Sequence, residues 1–252
     1  MYYHTRARFS EDDHRFISST LARTTGEDVA LRNLLTDAAT MSELLHDERL
    51  FDRVMRVPPY LISVSPHLFF YLFVYRALAA KGIHDDDLAD YIAAVCAEFR
   101  NNNALWQTTS HQPSQEGKTI YMVDLLHLLN ELDRDSQYRM RCHIGNVALF
   151  LTGFFPDFIY ARSLTKAAPG FSYYESVGRA QYDAAAAQAP MLEADSAPVL
   201  AVLAEQFVII RTAMNIYADL YLSLTAAKFS LGKLDRQAAT LDADSFRTAI
   251  GC

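Results

Sequence analysis

Glycine, proline and cysteine are all scarce, at nine, eight and three in 252 residues. So few chain-breaking residues exclude a collagen-like or low-complexity chain. Cys96, Cys142 and Cys252 are far apart and odd in number, which supplies neither a disulfide framework nor a zinc-ligand pattern and fits a reducing cytoplasm. Basic charge is also short: 23 Lys and Arg face 30 Asp and Glu, for a net charge of -7. That balance opposes a nucleic-acid duplex or an anionic membrane surface as partner, and the reading is no nucleic acid. Long apolar runs are missing too. The most apolar stretch, Leu68 to Ala80, is interrupted by Arg76 and is too short to span a bilayer, and the start, MYYHTRARFSEDD, has no apolar core of a signal peptide. A soluble, cytoplasmic protein with no membrane span is expected.

What is present is a large apolar fraction, 51% hydrophobic residues, enough for a sizeable core. β-branched alternation never runs beyond a few residues, so strand signals are nearly absent. The reading is one all-α domain over residues 1–252, bundle-like, with roughly eight to ten helices. Ser10 followed by three acids predicts a helix to about Thr24. A second helical region runs from about Asp28 to Met55 with a bend near Thr36, and Pro58 and Pro59 stop it. Ser65 and Pro66 open a helix that Gly82 closes, and Asp85 to Arg100 forms the next.

Residues 101–118 form a long polar loop around Trp106, the only tryptophan, and loops of that length tend to be mobile or functional. Helices follow at about Thr119 to Leu132 and Ser136 to Gly153, with a short one from Pro156 to Arg162. Ser172 and Glu175 fit a capping box for a helix through Gln188, and a long helix runs from Ala197 to about Leu224. After about residue 232 the tail has weak periodicity. No linker or internal repeat divides the chain.

Three patterns suggest chemistry, and each has a plainer reading. Glu11-x-x-His14 and Glu43-x-x-His46 have the spacing of di-metal carboxylate bundles, but the helical wheel turns Glu43 and His46 away from the apolar face of Met41, Leu44 and Leu45. No metal site is assigned. Asp124, His127 and Glu131 share a helix face opposite Met122, Leu125 and Leu129, as a solvated stripe would. Asp86-Asp87-Leu88-Ala89-Asp90 resembles the Asp-Asp-x-x-Asp motif with which helical prenyl-transferring enzymes hold magnesium and diphosphate. The resemblance covers five residues at a helix start, where acids also stabilise the helix dipole, and no second acidic motif accompanies it.

Isolated polar groups on apolar helices are the remaining candidates. Arg76 is the only charge of its helix and needs a carboxylate or an anion, with Asp219 the first expected partner and Glu175 or Glu205 next. His67, Tyr71 and Tyr75 line the same helix at i, i+4, i+8. Arg139, His143 and Asn146 continue into Phe150 and Gly153 as one face, and Arg211, Asn215 and Asp219 border the apolar face of the last helix. The expected binding set is therefore Arg76, Arg139, His143, Asn146, Arg211, Asn215 and Asp219 around one interhelical pocket. The leading function is a helical protein that binds a small anionic or amphipathic ligand, or a protein partner such as a second copy of itself. The alternatives are an enzyme using His143 or His67 as its acid or base, and a di-metal oxidoreductase on the Glu-x-x-His pairs. No cofactor is specified.

Overall fold

The computed structural model describes residues 4–56, 64–99, 122–165, 168–216 and 218. The polar loop with Trp106, the tail after residue 232 and Asp219 lie outside them. Among the described residues all regular structure is helical, with no strand and twelve α-helices. They are α1 Glu11–Leu21, α2 Thr25–Leu34, α3 Ala38–Leu45, α4 Glu48–Arg56, α5 Pro66–Ala79, α6 Asp86–Phe99, α7 Met122–Leu129, α8 Arg134–Phe154, α9 Pro156–Thr165, α10 Phe171–Leu192, α11 Ala197–Glu205 and α12 Phe207–Ile216.

The count exceeds the expected eight to ten because two long helices break. The region expected to bend once near Thr36 divides into α2, α3 and α4. Asp37 caps α3 by accepting from the Thr40 amide at 2.8 Å, and Asp47 accepts from the Arg49 amide at 2.9 Å just before α4. An aspartate that satisfies its own downstream amides starts a new helix instead of continuing the old one. The long C-terminal helix bends by 77° at Gln206, which separates α11 from α12. No single described helix is long and apolar enough to cross a membrane.

Caps explain the other boundaries. Ser65 accepts from the Leu68 amide with Pro66 in the first turn of α5, and Gly82 beyond its end has φ +76°, a conformation that suits glycine. The expected box at Ser172 and Glu175 does not form: Gly170 precedes α10 without a side-chain cap. A reciprocal box closes α1 instead, where Ser10 and Asp13 exchange backbone and side-chain bonds. The buried Asp13 carboxylate also accepts from the Ser65 amide at 2.7 Å and so ties α1 to the head of α5.

The buried apolar side chains form one contiguous cluster. Its most extensive seam joins α8 to α10, α11 also packs on α10, and α5 pairs with α6. α6 touches α8 and α11 and links the two halves; α4 lies against α5, and α1 against α2 and α4. Glycines bring the first seam close. A Cβ on Gly178 would stand 2.5 Å from the Phe207 ring, and one on Gly145 would stand 2.8 Å from the Tyr182 ring.

Candidate functional site

Among the described residues, the polar side chains expected to share one pocket fall into separate groups. Asn146 on α8 is wholly buried, and its side-chain oxygen accepts from the hydroxyls of Tyr91 on α6 at 2.9 Å and Tyr182 on α10 at 2.8 Å. His143, one turn earlier, is buried edge-on against the Phe99 ring at 5.7 Å. Arg211 and Asn215 are together on α12. Arg211 pairs with Glu175 at 2.5 Å, lies 5.0 Å above the Phe171 ring and donates to Asn215 at 3.3 Å, while Asn215 donates to the Thr152 carbonyl at 2.8 Å. That group sews α12 to α10 and to the end of α8.

Arg76 and Arg139 join neither group. Arg76 is half-buried and pairs with Glu48 on α4, with its guanidinium 6.0 Å from the Phe51 ring. Glu48 is largely exposed, so the long stem of Arg76 carries its charge to the surface instead of meeting Glu175 or Glu205; the first expected partner, Asp219, lies outside the described residues. Arg139 is exposed and donates to Ser136 at 3.3 Å. It lies on the outer side of α8 between the buried Tyr138 and Met140.

The three motif patterns also resolve. Asp124, His127 and Glu131 are exposed, as are Glu11 and Glu43. His46 turns away from Glu43 to bond Asp86 through Nε2 at 2.8 Å. Among the described residues no group of three or more His, Cys, Asp or Glu side chains could hold a metal ion. Burial pushes the Cys142 thiol up to about 11 and raises Cys96 as well, so both stay protonated and unreactive.

A concentrated polar constellation gathers around the Asp-Asp-x-x-Asp segment. Asp86, Asp87 and Asp90 occupy the first turns of α6, and the N-terminal arm, residues 4–9, crosses them in a short 3-10 turn at Arg6–Arg8. Arg6 reaches all three carboxylates, at 3.9 Å to Asp86, 2.9 Å to Asp87 and 3.3 Å to Asp90. It also donates to Ser42 on α3 at 3.0 Å and lies 5.8 Å over the Tyr71 ring. The Arg6 amide adds a bond to Asp90 at 2.8 Å. Beneath the guanidinium, three rings stack in sequence: His46 on Tyr75 at 4.2 Å, and Tyr75 on Tyr71 at 6.2 Å. Thr5 bonds His67 at 2.7 Å and Arg8 bonds Glu98 at 3.1 Å, which fixes the arm on either side.

The electrostatics are uneven. Burial pushes the Asp90 carboxyl above its usual range, against the opposing pull of Arg6 and His4. Burial acts on Asp86 in the same direction, but Ser42, His46 and Arg6 outweigh it and hold this carboxyl low. For Arg6, burial is outweighed by Asp90, Tyr71, Asp86 and Asp87, which hold the guanidinium charged. Tyr71 is fully buried, and its hydroxyl lies beside Ser42 within the field of Asp86, Arg6 and Asp90. Ser42 faces it but gives its own proton to Asp86.

The aspartate segment and the tyrosines are legible as patterns in the sequence, whereas Arg6 and Ser42 are not. Nothing local marks an arginine some 80 residues upstream as the partner of Asp90. The chain matches no known protein family, no curated protein and no solved structure. Its site is therefore read from its own geometry.

Proposed function

We propose that this chain is a helical binding protein whose ligand carries a guanidinium or ammonium group, received by the first turns of α6 over the aromatic stack of α5. The observation that carries the reading is the convergence of three carboxylates on the single guanidinium of Arg6, above the Tyr71 ring. Carboxylates in a fork around a planar cation, with an aromatic face below it, are the general chemistry of guanidinium recognition. Three carboxylates face one arginine there, with His4 and His46 at their edges, and the buried Tyr71 hydroxyl beside Ser42 offers a further polar contact. An anionic ligand is less well served, because Arg76 and Arg211 each already face a carboxylate.

Titrating n-butylguanidinium into the full-length chain by calorimetry, with the neutral isostere n-butylurea as control, tests this reading. Saturable binding of the cation in the millimolar range is expected, since a tethered Arg6 competes at comparable effective concentration. Made in an Arg6→Ala background, so that it does not also release the competing arginine, Asp87→Asn should weaken binding about threefold or more. Equal binding of n-butylurea, or unchanged binding by Asp87→Asn, would end the proposal.

A further inference from the structure

Resting on the cation-binding reading above, we infer that the N-terminal arm is a built-in competitor: Arg6 occupies the ligand's place, and the arm leaves the α6 carboxylates when a cationic ligand enters. Three features of the arm separate it from the core. First, the turn Arg6–Arg8 contains no buried residue, so the arm is held to the core only by its two flanks, Thr5 and Phe9. Second, its anchors are graded from inside to outside. Thr5 is buried against His67, Arg6 is half-buried among the aspartates, and Arg8 meets Glu98 at an exposed edge. Phe9, edge-on to Tyr71 at 6.2 Å, is the hinge side on which the arm joins α1.

Third, the fit of Arg6 is incomplete. Its guanidinium stands 2.9 Å from Asp87 but 3.9 Å from Asp86, and it meets Tyr71 over the ring face and not at the buried hydroxyl. A ligand that presents a polar group to that hydroxyl as well as a cation to the aspartates gains a contact the arm does not make. An intramolecular group that mimics the ligand lowers apparent affinity by the fraction of time it is in place. Removing the group restores that affinity.

The test compares the full-length chain with Arg6→Ala, and with Arg6→Gln as a polar variant that keeps more of the side-chain packing. The probe is n-butylguanidinium. Both variants should bind it at least about tenfold more tightly than the parent chain. In the parent, hydrogen exchange of the amides of residues 4–9 should speed up at saturating probe while α8 is unchanged. If the parent binds the probe but neither variant binds more tightly, or the arm's exchange does not rise, the arm is a fixed part of the fold and the inference fails alone. If neither parent nor variants bind the probe, the cation-binding reading fails with it.

Discussion

Two adjacent residues of α6 face two different seams. Tyr91 enters the core between α8 and α10, where its hydroxyl and that of Tyr182 share one acceptor on Asn146. Asp90, one residue earlier, enters the cluster under the N-terminal arm with Asp86, Asp87 and Arg6. The first seam is neutral, close-packed and spaced by glycine. The second is charged, gathers three carboxylates around one arginine with His4 bonded to Asp90 and His46 to Asp86, and is closed by a segment with no buried residue in its turn. In the first seam both hydroxyls share the Asn146 oxygen while its Nδ2 has no hydrogen-bond partner among the described residues, so what separates the two seams is charge and cover rather than complete pairing. The same helix therefore serves architecture on one face and the proposed binding on another.

The sharpest way to break this comparison is to attack the neutral seam. Asn146→Ala removes the acceptor that both hydroxyls use and leaves a void, and should cost about 3–4 kcal/mol in urea-unfolding free energy. Tyr182→Phe, which removes one donor and keeps the acceptor occupied, should cost only about 1 kcal/mol. Next in size is Gly178→Ala. Its Cβ would meet the Phe207 ring at 2.5 Å and the Ala148 Cβ at 3.0 Å, so overpacking of about 2–3 kcal/mol should outweigh the helix-propensity gain.

The arginines come third. Arg211→Met strands the half-buried Glu175 and should lower stability by about 1–2 kcal/mol. Arg76→Met, whose partner Glu48 is exposed, should stay below about 1 kcal/mol by thermal or chemical unfolding. Equal losses would contradict the difference in burial.

The smallest effect belongs to the charged seam and appears as a slope. The folded chain holds the Asp90 proton to higher pH than the unfolded chain does, so this group's contribution is present below its ordinary value of 3.8 and is lost as pH rises through its raised folded value. Asp86 runs the other way: its contribution is present above the ordinary value and is lost as pH falls through its lowered one. Asp90→Asn should therefore gain on the parent chain as pH rises from about 4 toward neutrality, in unfolding midpoints measured across that range. A constant difference between the two proteins would show that Asp90 titrates as it does in the unfolded chain.

Local chemistry made much of the fold legible. Ser65 with Pro66 marked the start of α5, Gly82 its end and Asp86 the start of α6, because caps and backbone freedom are properties of a few neighbouring residues. The breaks at Asp47 and Gln206 were not legible, since apolar periodicity runs through both. Ser172 and Glu175 have the spacing of a cap, but Glu175 is drawn instead to Arg211 on α12. The candidate site was half visible. The aspartates stood out as a motif, yet what closes on them comes from Arg6, and a partner 84 residues away leaves no trace in local spacing.

That separation also sets a schedule for the chain's synthesis. At about 5–20 residues per second, the aspartate to which the Arg6 amide bonds is made roughly 4–17 s after the arginine itself. Until α6 emerges, the arm has no carboxylates to meet. Closing so long a loop costs entropy that the successive packing of α1 on α4, α4 on α5 and α5 on α6 offsets. Docking of residues 4–9 on α6 is thus a late event of their half of the molecule.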